Sequence, residues 1–358
     1  MTALEERSAG PGTGAGAPLL QATDVEQTFP VRGAGGTRGG TVHAVSGVSL
    51  DIAAGETLGV VGETGSGKST LARSLIQAPR PQSGRVLFRG EDLMGLGRRE
   101  LVRARRSLQM VYQDPFGSLN PRWRVRDLVA EPLVGYRVGT AAGRERRVSE
   151  LLDLVGLDPS VYGGRRPHEL SGGQCQRVAI ARAVALDPAL LICDEAVSSL
   201  DVLIQAQVLN LFESLRSELG LSYLFIAHDL ALVKQVSDRV AVMHLGQLAE
   251  IGPAEALYRA PRHPYTAALL DSIPGLDPAT GRVRRPVPLA GEPPSPLDPP
   301  SGCRFRTRCP RARDRCAEEQ PELTGLPWPT VPPAGDAPAG AHRVACHYPL
   351  DPPPEEKP

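Results

Sequence analysis

Residues 62–70 read GETGSGKST, which fits the pattern G-x-x-x-x-G-K-[ST]. The apolar segment Thr57–Val61 precedes this loop, and a helical pattern begins at Lys68. In that setting, glycines let backbone N–H groups turn inward around phosphate oxygens, and the N-terminus of the helix adds the positive end of its dipole. The motif therefore predicts a nucleotide phosphate site between a strand and a helix, which restricts the fold to the α/β class.

The residues of this loop have separate predicted tasks. Lys68 is predicted to reach the β- and γ-phosphates, and Ser69 to hold Mg²⁺. The alternative is a glycine-rich turn with an incidental lysine, which the strand–loop–helix setting disfavours. The predicted nucleotide-binding residues of this loop are Gly62, Glu63, Thr64, Gly65, Ser66, Gly67, Lys68, Ser69 and Thr70.

Strand-like and helical patterns alternate along the rest of the chain. The segment Val202–Leu219 reads as a helix, whereas residues 122–186 have almost no strand signal and contain amphipathic helical segments. Strands that alternate with helices predict a largely parallel sheet. The runs that read as strands are Leu19–Phe29, Val42–Ile52, Arg85–Phe88, Ser107–Tyr112, Leu190–Cys193, Ser222–Ala227 and Val240–His244.

Two acids, Asp194 and Glu195, follow the apolar run that starts at Leu190. Adjacent carboxylates at the end of a buried strand are costly unless something compensates them. Asp194 is predicted to join the Mg²⁺ shell, and Glu195 to be the general base that polarises the attacking water. A solvated pair of acids is the alternative, and the phosphate-binding loop disfavours it.

Composition excludes some classes of partner. The 40 Lys+Arg residues balance the 40 Asp+Glu residues, which argues against a dedicated nucleic-acid binder and predicts no nucleic-acid partner. No stretch approaches the roughly 18 apolar residues of a spanning helix. Residues 1–18 lack the apolar segment of a signal peptide and read as a disordered segment. We therefore expect a cytosolic chain with reduced thiols.

A second anion-binding motif follows in residues 170–174, LSGGQ, which open an amphipathic helix. Ser-Gly-Gly at a helix N-terminus forms a nest of N–H groups that suits a phosphate. One nucleotide does not need two phosphate cradles in one chain. Two copies that face each other head to tail would use both, because each phosphate-binding loop would be closed by the Ser-Gly-Gly of the other copy.

Taken together, these motifs resemble the ATP-binding subunits of ABC transporters, and in particular the second ATPase of the oligopeptide/dipeptide importers. Each piece is short, but their joint occurrence in order is specific, and the resemblance covers about residues 19–350. The markers are GETGSGKST at 62–70, Gln113 in VYQDPFGSLNP, LSGGQCQR at 170–177, LLICDE at 190–195, SSLD at 198–201, IAHDL at 226–230, HPYT at 263–266 and SGCRFRTRCP at 301–310.

The resemblance implies an ABC ATPase core with a parallel sheet, an N-terminal antiparallel β part and a helical subdomain at about 115–186. The ATPase domain is expected at 19–260, a small C-terminal extension with four cysteines at 261–350, and a tail at 351–358.

The implied function is ATP hydrolysis that powers an importer, most directly for oligopeptides or dipeptides, with two ATP molecules sandwiched between paired ATPase subunits. The implied partners are a second ABC ATPase subunit, two transmembrane permease subunits and, indirectly, an extracytoplasmic solute-binding protein. Such a subunit would work at the cytoplasmic face of the membrane. The same machinery importing nickel, glutathione or another solute is an alternative, as is a non-transport ABC ATPase.

The resemblance also assigns roles to single residues. Gln113 would sense Mg²⁺ and the attacking water and couple to the membrane subunit, for which residues 115–125 are the expected contact surface. His228 would contact the γ-phosphate and orient Glu195. The residues implied to complete the ATP site or the dimer seam from the second motif are Ser171, Gly172, Gly173, Gln174 and Asp201.

An aromatic side chain is expected to stack on adenine. Alignment of the motifs implies Phe29, but the insertion at 31–41 shifts the register, so His43 is the alternative. A buried core aromatic is a third interpretation of Phe29, because aromatic residues usually bury for packing.

Two residues depart from, or add to, the family pattern. The family usually has proline after the catalytic glutamate, whereas Ala196 follows Glu195 here. Proline would hold Glu195 in an extended backbone, so alanine predicts slower turnover. Cys175 lies near a helix N-terminus, where the pKa of a thiol can fall. A redox switch is one interpretation, and a small packed thiol is the favoured one.

Four cysteines, Cys303, Cys309, Cys316 and Cys346, lie in a region that holds 21 of the 35 prolines, residues 274–358. So few apolar residues cannot bury much core, and a cross-linking metal would fold the segment. Four thiolates without C-x-x-C pairs suit a [4Fe–4S] cluster better than a zinc ribbon. The resemblance points the same way, while zinc and unligated thiols stay open.

Residues 304–315 contain six arginines and one acid. A cluster with four thiolates is anionic, and we expect nearby guanidinium groups to offset it. A solvated arginine face, or contact with the membrane subunit or anionic lipid, is the alternative.

Overall fold

The computed structural model describes residues 17–31, 39–198, 200–273, 275–276, 283–284, 291–325 and 341–351. The segment predicted to be disordered, 1–18, and the predicted tail, 351–358, lie almost entirely outside the described residues. Most of the insertion at 31–41 lies outside them too.

The elements alternate between strands and helices. Each predicted strand and the predicted helix Val202–Leu219 is present, and its ends lie within two residues of the predicted ends. The strands are β1 Leu20–Val31, β2 Gly40–Ile52, β3 Thr57–Val61, β4 Ser83–Phe88, β5 Glu91–Asp92, β6 Leu108–Val111, β7 Leu190–Asp194, β8 Ser222–Ile226, β9 Arg239–His244, β10 Gln247–Pro253, β11 Gly275–Leu276, β12 Val283–Arg284, β13 Thr324–Gly325 and β14 Arg343–Val344. The helices are α1 Lys68–Leu75, α2 Arg98–Arg105, α3 Pro115–Ser118, α4 Val125–Gly135, α5 Ala141–Leu154, α6 Pro159–Tyr162, α7 Gly172–Val184, α8 Val202–Leu219, α9 Leu230–Val236, α10 Ala254–Arg259, α11 Pro264–Asp271 and α12 Arg315–Glu318, with a 3-10 turn at Pro167–Glu169.

The larger sheet has the strand order β13-β14-β10-β9-β3-β8-β7-β6. Its strands β9, β3, β8, β7 and β6 are parallel to one another. Parallel strands place their carboxyl ends at one edge of the sheet, so the chain after β3, β8, β7 and β6 meets there. This edge brings together the phosphate-binding loop, His228, the acid pair at the end of β7, and Gln113.

Apolar layers cover both faces of the parallel strands. In β8, Tyr223 and Phe225 pack on the side of α7 and α8, whereas Leu224 and Ile226 pack on the side of α1. Phe212 of α8 meets Phe225 edge to face at 5.9 Å between ring centroids. Burial on both faces explains why these strands read as continuous apolar runs in the sequence. The rigid sheet that results carries the loops of the site.

The remaining parts of the core also match the predicted class. The strands β2, β1, β4 and β5 form a separate antiparallel sheet at the N-terminal side. Between β6 and β7, where every residue is described, the regular elements are the helices α3 to α7 and the 3-10 turn. The fold therefore has the predicted antiparallel β part and helical insertion, whose boundaries as domains remain a prediction.

The C-terminal extension differs from the expectation of an appendage with little buried core. Strand β14 pairs with β10 of the main sheet, with Val344 opposite Glu250, and β13 pairs with β14. Phe305 and Val344 are 2% and 1% exposed. A segment poor in apolar residues reaches this burial because it covers the edge strand β10 and shares the core of the body.

Within the described residues, no helix combines the length and apolar content that crossing a membrane requires.

Candidate functional site

The phosphate-binding loop joins β3 to α1 at the carboxyl edge of the parallel strands. Gly62 and Gly67 have φ angles of 154° and 101°. A Cβ atom on Gly62 would lie 2.1 Å from the carbonyl oxygen of Met243, and one on Gly67 would lie 2.0 Å from that of Ala44. Glycine is therefore required at both positions by neighbouring backbone, which gives the loop its shape.

Lys68 begins α1 and is buried. Its Nζ donates to the carbonyl oxygens of Gly62 at 2.8 Å and Glu63 at 2.9 Å. Burial lowers the pKa of Lys68 below its usual range. Three carboxylates oppose that shift, those of Glu195, Asp194 and Glu63. The ammonium group thus lies inside the loop, among the groups that would surround a phosphate.

Ser69 and Asp194 are in direct contact across the edge of the sheet. Ser69 Oγ donates to Asp194 Oδ1 at 2.7 Å. Burial raises the pKa of Asp194, and the hydrogen bond from Ser69 opposes the rise. A hydroxyl and a carboxylate side by side are oxygen ligands of the kind that Mg²⁺ takes, usually with waters and substrate phosphates. These residues fit the predicted magnesium site.

Three side chains predicted to be catalytic meet beyond the end of β7. Gln113 Nε2 donates to Glu195 Oε2 at 2.8 Å, and His228 Nδ1 lies 3.8 Å from the same oxygen. The Glu195 side chain is 16% exposed, whereas that of His228 is 53% exposed. An amide therefore holds a mostly buried carboxylate in place, and the imidazole stands on the solvent side of it. This arrangement suits a general base that acts on a water molecule.

The backbone at Glu195 is unusual. Its φ angle is 49°, in the left-handed region that few residues other than glycine adopt. Ala196, which follows, is 2% exposed. Proline restricts the residue before it to extended conformations. The family's proline would therefore disfavour the left-handed conformation that Glu195 adopts here.

The side-chain hydrogen bonds of the second motif lie within the helical insertion. Ser171 caps α7, and its Oγ accepts from the backbone N–H of Gln174 at 3.3 Å. Gln174 Oε1 accepts from the Ser171 N–H at 3.0 Å, and its Nε2 donates to the Tyr162 hydroxyl at 3.3 Å. Ser171 is exposed. In the described residues, none of these bonds reaches the phosphate-binding loop of the same chain.

The start of α8 lies against this motif. A Cβ atom on Gly173 would stand 2.6 Å from Ile204 Cγ2, so glycine permits close approach of the two helices. Asp201 caps α8 by accepting from the Ile204 N–H at 3.0 Å. The next two residues, Val202 and Leu203, are 82% and 69% exposed. Exposed apolar residues beside an exposed anion-binding motif are typical of a surface that another chain covers.

The candidate site divides into two groups of residues. The P-loop face comprises Lys68, Ser69, Gln113, Asp194, Glu195 and His228. The signature face comprises Ser171, Gly172, Gly173, Gln174 and Asp201.

Phe29 lies near the end of β1 and is 37% exposed. Its cross-strand partner is Val42, and the preceding pair is Thr28 with His43. The interpretation of Phe29 as a core aromatic is therefore wrong, because a large part of the side chain is accessible. Adenine stacking by Phe29 or by His43 remains a prediction.

Comparison with known proteins agrees with these motifs. A family model described as "ABC transporter" matches residues 45–198, and one described as "Oligopeptide/dipeptide transporter, C-terminal region" matches residues 249–316. The chain is 47% identical over 331 residues to the oligopeptide transport ATP-binding protein AppF of Bacillus subtilis, covering 92% of this chain and 97% of the relative. This chain belongs to the oligopeptide/dipeptide family of ABC transporter ATP-binding proteins. It is also 51% identical over 286 residues to OppF of Salmonella typhimurium, covering 80% of this chain and 85% of that one.

Solved structures support the fold of this ABC ATP-binding protein. The dimeric ATP-binding cassette MJ0796 in a post-hydrolysis state with ADP and Pi is 26% identical, with a TM-score of 0.58 over 66% of this chain and 98% of that one. The cbiO1 protein of Clostridium perfringens is 27% identical, with a TM-score of 0.58 over 67% and 90%. The predicted ABC ATPase fold is therefore confirmed, and the chain is an ATPase for which ATP and Mg²⁺ are the expected ligands.

Cys175 is a packed thiol. It is fully buried, and its Sγ donates to the carbonyl oxygen of Pro167 at 3.5 Å. Burial raises the pKa of Cys175 to about 11. The lowered pKa that the redox-switch interpretation requires is therefore wrong, because desolvation of the thiolate outweighs the effect of the helix N-terminus.

The four cysteines of the extension converge. One small pocket is lined by all four, together with His263, Arg306, Arg311, His347 and Tyr348 among others. Burial raises the pKa of the Cys346 thiol to about 11 and also raises the pKa of Cys303 and Cys309. Among the described residues, however, no group of His, Cys, Asp or Glu side chains is arranged to hold a metal ion. The four thiols therefore line one pocket but do not form a site for a metal ion among the described residues.

The arginines of the extension have different partners, and the charge offset expected beside the cysteines stays a prediction for those that line the cysteine pocket. Arg306 and Arg311 line the cysteine pocket. Arg304 donates to the carbonyl oxygen of Leu245 and to Ser46 Oγ, and so anchors the extension to the body. The outer arginines pair locally, as Arg313 stacks on Tyr348 and Arg315 binds Glu319.

Sequence reasoning missed one contact between the extension and the phosphate-binding loop. Arg308 donates two hydrogen bonds to the Glu63 carboxylate, at 2.7 and 3.0 Å. The Glu63 N–H donates to the Tyr265 hydroxyl at 3.0 Å. The HPYT marker and the run of arginines are visible in the sequence, but neither signal says that these side chains meet residue 63.

Proposed function

We propose that this chain is the ATP-hydrolysing subunit of an importer for oligopeptides or dipeptides. The observation that supports it is the P-loop face, which is assembled within one chain, combined with the signature face, which is exposed elsewhere on the same chain. The two faces are the two halves of a composite ATP site. The names of AppF and OppF, which describe oligopeptide transport, support the choice of cargo.

The P-loop face would act on ATP in a defined order. Lys68 exchanges its bonds to two loop carbonyl groups for the β- and γ-phosphates. Ser69 and Asp194 would hold Mg²⁺, which would supply positive charge against the phosphate oxygens. Glu195, held by Gln113, accepts a proton as the water oxygen bonds to the γ-phosphorus and the bond to ADP breaks.

His228 lies beside Glu195 and would donate a hydrogen bond to the γ-phosphate. The proton that Glu195 takes passes to the phosphate product, which restores the carboxylate. A general base of this kind contributes roughly 10²- to 10⁴-fold to a rate.

The signature face would act on a second ATP molecule, held by the P-loop face of a second ATPase subunit. Ser171 is exposed at the start of α7, and a phosphate bound there would gain from the helix dipole. Asp201 and the exposed residues Val202 and Leu203 would lie at the seam between the subunits. Two ATP molecules would therefore hold the pair closed, and hydrolysis would release it.

The surface at residues 115–125 is our proposed contact with the permease subunits. Phe116 and Trp123 are 46% and 41% exposed there, although large aromatic side chains usually bury. Gln113 precedes this surface by two residues, so closure around ATP would be transmitted to it directly. The chain would then sit on the cytoplasmic face of the membrane, with two permease subunits and, indirectly, a solute-binding protein, and without a nucleic-acid partner.

This function is tested by trapping the ATP-bound dimer. Replacement of Glu195 by Gln should abolish turnover while leaving ATP binding intact, so that a stable dimer accumulates with ATP and Mg²⁺. Light scattering with size-exclusion chromatography measures it, and Glu213→Gln, on the exposed side of α8, is the matched control. Absence of an ATP-dependent dimer would contradict the composite site.

Co-expression with the permease subunits tests transport separately. Co-purification with permeases and ATP-driven uptake of peptides into proteoliposomes are expected. A trapped dimer that never binds permeases would leave the ATPase standing and favour the non-transport alternative. Uptake of nickel or glutathione in place of peptides would overturn the cargo alone.

We also propose that Cys303, Cys309, Cys316 and Cys346 hold a [4Fe–4S] cluster. All four line one pocket, and Arg306 and Arg311 beside it would offset the negative charge of the cluster. Among the described residues no group of His, Cys, Asp or Glu side chains is arranged to hold a metal ion, so the proposal is supported by the shared pocket and the adjacent charge and not by ligand spacing.

Anaerobic purification tests the cluster. We expect absorbance at about 400 nm and about four irons per chain, both lost in Cys309→Ser. Cys175→Ala, which removes a buried thiol outside the extension, should keep them. Zinc without iron, or iron that survives the loss of Cys309, would overturn this proposal and leave the ATPase function untouched.

The domain boundaries are proposed as 19–260 for the ATPase domain, with the helical subdomain at about 115–186, and 261–350 for the extension.

A further inference from the structure

Glu63 is an acid inside a loop that receives polyphosphate. Its own carbonyl oxygen accepts from Lys68 Nζ at 2.9 Å, and its carboxylate is near enough to influence the pKa of that lysine. The same carboxylate would repel the phosphates of ATP as it attracts the lysine. A site with high affinity for ATP therefore needs a positive charge that offsets Glu63.

Arg308 provides that charge from the C-terminal extension. Both of its terminal nitrogens bind the two carboxylate oxygens of Glu63, at 2.7 and 3.0 Å. The Arg308 side chain is 3% exposed and that of Glu63 is 23% exposed, so solvent screens the pair only in part. A two-pronged pair of this kind fixes both the charge and the direction of the carboxylate.

The backbone that carries Arg308 is held against the body of the ATPase. The Arg308 N–H donates to the carbonyl oxygen of Phe305 at 3.0 Å. The Phe305 ring packs against Tyr265 at 5.2 Å and His244 at 5.5 Å between ring centroids. Tyr265 in turn accepts from the Glu63 N–H at 3.0 Å. The extension therefore contacts the backbone and the carboxylate of the same loop residue.

We propose that Arg308 is a positioning residue of the ATP site. It neutralises and orients the Glu63 carboxylate, and it thereby sets the affinity of the phosphate-binding loop for ATP without touching the nucleotide. The extension is then part of the nucleotide site, whatever the cargo is and whatever the cysteines hold.

The experiment measures ATP binding and turnover in the full chain. Arg308→Gln should weaken equilibrium binding of MgATP about tenfold and raise KM, with kcat little changed, because a repulsive charge is exposed in the ground state. The double variant Glu63→Gln with Arg308→Gln should return to within about threefold of wild type, because the repulsion is gone. Arg308→Lys, which keeps the charge, should lose less than Arg308→Gln.

Two controls make the result specific. Arg315→Gln breaks an exposed arginine–carboxylate pair in the same segment and should leave ATP binding unchanged. Glu63→Gln alone removes the carboxylate that offsets the Arg308 charge beside the loop and should bind ATP about threefold more tightly than wild type, and this measurement decides the matter even where Arg308→Gln does not fold. Weaker ATP binding by Glu63→Gln, or a double variant as weak as Arg308→Gln, would overturn the proposal.

Discussion

The P-loop face and the signature face are both built from short motifs, but they reach different degrees of completion in one chain. In the P-loop face the side chains bind one another, as Ser69 does Asp194 at 2.7 Å and Gln113 does Glu195 at 2.8 Å. In the signature face Ser171 and Gln174 bind each other, Gln174 also binds Tyr162 of the helical insertion, and Ser171 is exposed.

The difference follows from where each motif lies. The P-loop face gathers the ends of four parallel strands, which the sheet brings to one edge. The signature face depends on one helix N-terminus and one neighbouring cap, and its Ser171 is exposed. One face is therefore expected to bind nucleotide in the monomer, and the other to contribute only when a second subunit arrives.

The largest expected effect is on Lys68. Lys68→Ala should weaken ATP binding by the isolated chain by about 100-fold, because a buried ammonium inside the loop is lost. Titration with a fluorescent ATP analogue measures it, and Lys234→Ala, on α9, is the control. Binding within about threefold of wild type would contradict the claim that the P-loop face is the half of the site that binds ATP in the monomer.

A smaller effect on binding is expected at Ser171, and it separates the two faces. Ser171→Ala removes the cap of α7, yet the isolated chain should bind ATP within about twofold of wild type. In the Glu195→Gln background, the addition of Ser171→Ala should weaken association of the dimer roughly tenfold, as sedimentation velocity would show. If Ser171→Ala weakened ATP binding by the isolated chain as much as it weakened the dimer, Ser171 would not act on the nucleotide of a second subunit.

The residue after the catalytic glutamate tests whether the backbone conformation of Glu195 limits turnover in the P-loop face. Ala196→Pro should raise the ATPase rate about two- to fivefold, because proline disfavours the left-handed Glu195 and favours an extended one. Steady-state phosphate release measures the rate. An unchanged rate would mean that the conformation of Glu195 does not limit turnover.

The smallest effect is expected at Cys175, one residue beyond the signature face. Cys175→Ala should lower the free energy of unfolding by about 1 kcal/mol through lost packing and leave the ATPase rate unchanged. Its thiol, with a pKa raised to about 11, should react with iodoacetamide at pH 8 far more slowly in the native chain than in urea. Rapid native alkylation that stops turnover would revive the redox interpretation.

Much of the fold could be predicted because its signals are local. Continuous apolar runs marked the buried parallel strands, and glycine, lysine and serine in one short loop marked the phosphate site. The extension could not be predicted in the same way, because its apolar content is low and its burial depends on the body. Phe305 is 2% exposed, and the ring of the body that it packs against is His244 of β9.

The sequence by itself determined the chemistry that this protein carries, since each motif places reactive groups within a few residues and its glycines restrict the local backbone. Tertiary structure decided which of those groups meet. Gln113 and Glu195 are 82 residues apart in sequence, and Arg308 and Glu63 are 245 apart. No local pattern encodes such pairs, because they depend on the order of the strands and on how the extension covers the sheet edge.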